Sequence, residues 1–232
     1  MGRELEEEGE GLARMHKAKS KAQSLADARA FRAGFAHVRK RDPVLKPILD
    51  AHGVIKFKPE GEPFESLVES ILSQQLAGAA ASAIIKKVRA LFPDGELEAE
   101  RVHHADARKL RAAGVSPQKL SYLKDLSARV IEGRLDLEAL ESMSDEEIVE
   151  VLDEVKGIGP WTVHMFLIFT LGRPNVLPVD DYGIRMSVQR IYGFPQLPKR
   201  AEIEKLAEKW HPYSTVASLY LWRAKDSDTP TD

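Results

Sequence analysis

Gly157-Ile158-Gly159-Pro160 and, downstream of it, Asp180-Asp181 are the residues whose types and spacing can do chemistry in this chain. Glycine has no Cβ to hold a ligand away, so a G-x-G turn can bring backbone amides up to a phosphate. Lys156 adds a charge at the same place. Beyond a loop bounded by Gly172, Pro174 and Pro178, the aspartates supply a carboxylate that can stabilise a developing positive charge or orient a water. Taken alone, each half has a plainer reading. The turn suits any αα-hairpin, and paired aspartates suit a helix cap, a role assigned here to Asp180.

The elements that must position these residues are helical. Ser144-Asp145-Glu146-Glu147 is a capping box, and Ile148, Val151, Leu152 and Val155 form the apolar face of the helix it starts, which runs into the turn. Trp161 to Leu171 is apolar nearly all round and predicts a helix buried at the centre of a bundle. A further helix is predicted over Tyr182–Tyr192, and a last pair over Lys199–Trp210 and Ser214–Ala224. The turn and its flanks therefore form a helix-hairpin-helix, in which amides and a helix N-terminus can grip a DNA phosphate without reading a base.

Upstream, Ser24 to Arg41 places Leu25, Ala28, Phe31 and Phe35 at helical spacing, with a weak Ser24–Asp27 capping pair. Lys46 to Pro63 is rich in breakers and reads as a connection. Two helical patterns follow from Pro63 to Leu91, joined through Ser73-Gln74-Gln75-Leu76-Ala77-Gly78. Next come a helix near Asp106–Ala113 and one opened by Ser116-Pro117. With no alternating strand series, the expected fold is all-α with about ten helices.

Composition sets outer limits. The 232 residues are 43% hydrophobic, enough for one large domain or two small ones. The N-terminus lacks the apolar centre of a secretory signal and no membrane span is present, so an intracellular protein is expected. The net charge of −2 hides a local excess. From Arg14 to Lys46 there are ten Lys or Arg against two Asp or Glu, whereas residues 4–10 are mostly glutamate. The absence of cysteine excludes thiolate zinc sites and cysteine-ligated iron–sulfur clusters.

VKGIGPWTVHMFLIFTLGRPNVLPVDDYGIR resembles the HhH-GPD superfamily of base-excision DNA glycosylases, named for this hairpin, its Gly/Pro-rich loop and the following aspartate. Gly-Ile-Gly-Pro-Trp-Thr and Pro-Val-Asp-Asp-Tyr resemble the 3-methyladenine DNA glycosylase II branch, as do PFESLVESILSQQLAGAAASAI and EKWHPYSTVASLYLWRA. The resemblance runs from Pro63 to Ala224. It implies the helix-hairpin-helix glycosylase fold, with two helical subdomains and a cleft between them. A core over 23–225 is expected, its lobes roughly 63–175 and 23–62 plus 176–225. Residues 1–22 are expected to be a disordered or loosely helical extension, and 226–232 a tail. Too little chain precedes Pro63 for the β-rich N-terminal domain of some bacterial relatives, which suggests the compact helical form.

The resemblance also distributes roles. Asp181 takes the catalytic position, where a helix N-terminus favours its negative charge. Trp161, Trp222, Tyr182 and Met165 fall in the base pocket, with Trp210 and Tyr213 as weaker candidates. Lys156, Gly157, Ile158, Gly159 and Thr162 fall on DNA, and Gln75 and Leu76 on the joint that plugs the gap left by an everted base. An electron-rich indole face suits alkylated purines, which are cationic or electron-poor. Met165 departs from the branch, which often has tyrosine there. Members that also cleave the strand carry a lysine two residues after the second hairpin glycine, where this chain has Trp161, so a monofunctional enzyme is expected. The resemblance implies no cofactor, double-stranded DNA with damaged bases as partner, a monomeric state, a nucleoid-associated location in a prokaryote, and a monovalent cation on the hairpin carbonyls. The alternative is a non-catalytic helix-hairpin-helix DNA-binding protein.

Overall fold

The computed structural model describes residues 29–226. The extension, the Ser24–Asp27 pair, Leu25, Ala28 and residues 227–232 lie outside the described residues. In chain order the α-helices are α1 (29–41), α2 (Lys46–His52), α3 (Pro63–Ser73), α4 (Gly78–Arg89), α5 (Ala99–His104), α6 (Ala107–Ala112) and α7 (Pro117–Ile131). They continue as α8 (Asp145–Asp153), α9 (Pro160–Phe169), α10 (Tyr182–Tyr192), α11 (Arg200–Ala207) and α12 (Ser214–Asp226). Among the described residues there is no strand, and no helix is long and apolar enough to cross a membrane. The fold is the all-α one expected. It has more helices than expected because α2 forms where a connection was read and α5 was not anticipated.

The described residues divide into two compact units, 60–173 and 29–59 with 174–226. In the first, α3 starts at Pro63, whose missing N–H costs nothing at a helix start. It buries Phe64, Leu67, Val68, Ile71 and Leu72, the i, i+3, i+4, i+7, i+8 stripe of an amphipathic helix. That stripe packs on α4, α7 and α9, while α5 lies along α7 and α8 along α9. Each leucine so buried contributes about 1.5–3 kcal/mol. The Ser144 box forms as predicted, with the Glu147 amide donating to Ser144 Oγ at 3.2 Å and the Ser144 amide to Glu147 Oε2 at 2.7 Å. One expectation fails in part. α9 buries Thr162, Val163, Phe166, Leu167 and Ile168, but Trp161 and Phe169 near its two ends are exposed.

In the second unit α10 and α12 pack together, and α12 also meets α2. The core gathers Phe31, Val38, Leu45, Leu49, Ile184, Val188, Ile203, Trp210 and Tyr220. Burial of Leu49 explains why the short α2 forms despite the breakers around it. At the centre of this core Asp42 is fully buried. It accepts from Trp210 Nε1 at 2.7 Å, from the Tyr192 hydroxyl, and from the amides of Val44 and Leu45 at 3.1 Å, with Lys209 Nζ at 3.2 Å. Burial opposes the charge on Asp42, but these donors outweigh it and hold the carboxyl below its ordinary value. Trp210 is thus a core residue bonded to Asp42, and its candidacy for a base pocket is corrected accordingly.

Candidate active site

Asp181 is the N-cap of α10: its Oδ1 accepts from the Ile184 amide at 2.9 Å. The cap therefore belongs to Asp181 and not to Asp180, which is exposed and pairs with Arg200 Nη1 at 3.1 Å. This is a correction with a simple cause, because the residue whose backbone is extended just before the helix is Asp181, at φ −67° and ψ 122°. A second donor, Trp222 Nε1 on α12, reaches the same Oδ1 at 2.9 Å. Two N–H groups from separate helices thus fix the orientation of a half-buried carboxylate at the positive end of α10.

Gly183 makes room for this pair. A Cβ there would lie 3.0 Å from Asp181 Oδ1 and 3.4 Å from Trp222 Cδ1. Sequence reasoning did not single out Gly183, although a glycine in the first turn of a helix is a signal in its own right. Nor did it foresee the indole–carboxylate bond. Tyr182, the next residue, is among the most exposed aromatics described. Tyr213 is half-buried and rests 5.4 Å, centroid to centroid, from the His37 ring.

The hairpin lies between α8 and α9. Gly157 has φ +81°, in the left-handed region, and a Cβ there would overlap the Tyr122 ring. Only glycine fits. The amide of Lys156 donates to Asp125 Oδ2 at 3.0 Å and that of Ile158 to the Val155 carbonyl at 3.0 Å. Those two backbone amides are occupied and the Ile158 side chain is buried, so Ile158 offers no free donor and Lys156 only its ammonium. Among the described residues, the amides of Gly157 and Gly159 donate to no acceptor. Lys156 Nζ stands 3.8 Å from Asp125 and is largely exposed. Burial raises the Asp125 carboxyl, but the Lys156 amide and Arg129 outweigh it and leave the group below its ordinary value. Thr162 is only 5% exposed, and it contributes to the wall of the cavity that Trp161 and Met165 also line.

Two carbonyls of the turn already accept hydrogen bonds, Val155 from Ile158 and Gly157 from Gln74 Nε2 at 2.6 Å. Each keeps a second lone pair, so neutral oxygens able to hold a monovalent cation remain. Among the described residues no group of three or more His, Asp or Glu could hold a metal.

Within residues 60–173 a cavity of about 550 Å³ is lined by Trp161, Met165, Phe169, Gln75, Leu76 and others, a volume in the range of ligand pockets. Trp161 is 46% exposed, and Leu76 on the joint is 38% exposed. Gln75 beside it has φ +57°, a left-handed conformation uncommon outside glycine.

The chain and its fold resemble known proteins. The model of the HhH-GPD superfamily base excision DNA repair proteins matches residues 68–212. The chain is 37% identical over 164 residues to DNA-3-methyladenine glycosylase 1 of Schizosaccharomyces pombe, a match covering 70% of this chain and 72% of that protein. Among solved structures, the S. pombe 3-methyladenine DNA glycosylase in complex with abasic DNA superposes with a TM-score of 0.77 at 32% identity, covering 86% of this chain and all of that one. A DNA-3-methyladenine glycosidase from Bacillus halodurans gives 0.77 at 35% identity, covering 84% and 89%. On the family match and the extent of these likenesses, the chain belongs to the HhH-GPD superfamily of base-excision DNA repair proteins.

Proposed function

We propose that this chain is a monofunctional DNA glycosylase that removes alkylated purines of the 3-methyladenine and 7-methylguanine class from double-stranded DNA. The observation that carries the reading is Asp181, a carboxylate fixed by the Ile184 amide and the Trp222 indole, in a chain similar over most of its length to named 3-methyladenine glycosylases. Gly157 and Gly159 offer free amides to a phosphate, with Lys156 as the neighbouring charge. Leu76 plugs the gap in the stack, and Gln75 meets the orphaned partner base. Trp161 and Met165 hold the everted base in their cavity. Tyr182 flanks Asp181 on the exposed side of α10.

In the reaction the C1′–N bond breaks and its electron pair leaves with the base, a good leaving group because alkylation has made it cationic. The sugar becomes oxocarbenium-like, and the Asp181 carboxylate stabilises that positive charge. Water adds at C1′ and gives up a proton to solvent, so the products are a neutral free base and an abasic site. Trp161 has no amine, so no Schiff base forms there and the strand stays intact. The enzyme acts as an intracellular monomer. Incubation with methylated duplex, followed by identification of each released base, tests the proposal. Release of 7-methylguanine or 3-methyladenine is expected. Duplex binding without any released base would instead favour the non-catalytic reading.

A further inference from the structure

We propose that Lys119 is a positioning residue for base eversion: through it α7 holds the joint that carries Leu76 and the hairpin turn as one part, so that the hairpin's grip on a phosphate sets how Leu76 enters the stack. The inference rests on the roles given above to Leu76 and to the hairpin.

α3 ends at Ser73, and the last carbonyls of a helix lack partners within it. Lys119 Nζ donates to two carbonyls at this end, Leu72 at 2.7 Å and Gln74 at 2.8 Å. The ammonium is half-buried, and burial lowers it from its ordinary value. An ammonium partly withdrawn from water and bonded to two main-chain oxygens of one joint fixes that joint's path. The Gln74 side chain then crosses to the hairpin, donating to the Gly157 carbonyl.

The same face of α7 grips the hairpin directly. Tyr122, three residues after Lys119, fills the space beside Gly157. Asp125, a further three on, accepts the Lys156 amide. Arg129, one turn later, binds Asp125 at 3.1 Å and Glu154 at 2.9 Å, beside the turn. Residues spaced by three and four share a helix face. One stripe of α7 therefore holds both the phosphate turn and the plug joint.

Gln75 gives the second, independent sign. Its left-handed backbone persists only where neighbouring bonds over-determine it, and such outliers gather at switches and ligand clamps. The bonds of Lys119 and Gln74 hold the chain just before it, and the Leu76 amide donates back to the Ser73 carbonyl at 3.2 Å just after it. Leu76, exposed beyond this strained residue, inherits its direction from them.

The test uses the full chain and a duplex carrying one 7-methylguanine beside 2-aminopurine, whose fluorescence rises on unstacking, together with single-turnover base release. Lys119→Met keeps the apolar stem and removes both bonds. It is expected to slow unstacking and release by about 10–100-fold, the scale of a misplaced group. Lys119→Arg is expected to recover to within about threefold of wild type by restoring donors. The double variant Lys119→Met/Leu76→Ala should be no slower than Leu76→Ala alone, because residues acting through one another are not additive. Affinity for undamaged duplex and its salt dependence should be unchanged, since Lys119 binds carbonyls and not phosphate.

Losses that multiply in the double variant, or a normal fluorescence rise in Lys119→Met, would overturn the proposal, as would a wild-type chain that binds duplex without any rise. Should Lys119→Met fail to fold, Gln74→Leu removes the other tie and must show the same non-additivity with Leu76→Ala. A wild type that unstacks the probe yet releases no base would sink the glycosylase reading alone.

Discussion

Replacing Asp181 separates its two duties, because asparagine keeps the accepting oxygen while losing the charge. In Asp181→Asn, Oδ1 can still accept from the Ile184 amide and Trp222 Nε1. Asparagine is about as good an N-cap as aspartate, so stability should change by less than about 0.5 kcal/mol. The reaction loses a carboxylate facing a developing cation. At a separation of about 4 Å and an effective dielectric of about 20, that attraction is about 4 kcal/mol, or about a thousandfold in rate. Asp181→Ala removes the acceptor as well. The lost cap costs about 1 kcal/mol and the abandoned indole N–H about another, together a fall of about 4–8 °C in melting temperature. Single-turnover base release and thermal melting, run on both variants, check the two halves of the argument. Asp181→Asn releasing base within tenfold of wild type would refute the catalytic assignment, and Asp181→Ala melting with wild type would refute the structural one.

The two hairpin glycines should part company. Gly157→Ala meets both a left-handed φ and the Tyr122 ring, costing about 3 kcal/mol in a chemical denaturation curve, whereas Gly159→Ala, with nothing within 4 Å of its Cβ, should fold normally and bind duplex about tenfold more weakly. Asp42 predicts acid sensitivity. Its carboxyl is held below its ordinary value, so its contribution is present above about pH 4 and lost as pH falls through the depressed value. The melting difference between wild type and Asp42→Asn should therefore narrow from pH 7 to pH 3, and a constant difference would contradict the assignment. Trp161→Ala removes a half-exposed ring and should cost under about 1 kcal/mol in stability, while base release falls about 10-fold or more, in line with lost stacking. Borohydride should trap no covalent DNA adduct of the wild type.

Local chemistry was legible in the sequence and long-range chemistry was not. The Ser144 box, the hairpin and α10 are each specified by neighbours a few residues apart, and they form as the spacing implies. α5 carries only Ala99 and Val102 as buried residues, too few to set a period, and it is held by α7. Trp210 and Trp222 look alike in sequence, yet one closes on Asp42 in the core and the other on Asp181, partners far away along the chain. The identity of Asp181 as the cap turned on the backbone angles of two adjacent aspartates, which residue type alone does not distinguish. Resemblance to a family pointed to Asp181 as the reacting group, but the indole that orients it came only with coordinates.

The division of the chain into 60–173 and 29–59 with 174–226 has a consequence for synthesis. The first unit is contiguous and complete once the ribosome has passed Arg173. The second is assembled from both ends. Phe31, Leu45 and Leu49 emerge early, but most of their core partners come only after residue 174, and the core is completed by Val216, Ala217 and Tyr220 of the last helix. A nascent chain stalled before α12 would thus carry a finished first unit and a second whose apolar core is incomplete, with the Asp181 carboxylate lacking its bond from the Trp222 indole. Exposed apolar surface of that kind favours aggregation and engagement by chaperones, so arrival of the last described helix is the step that closes the second core.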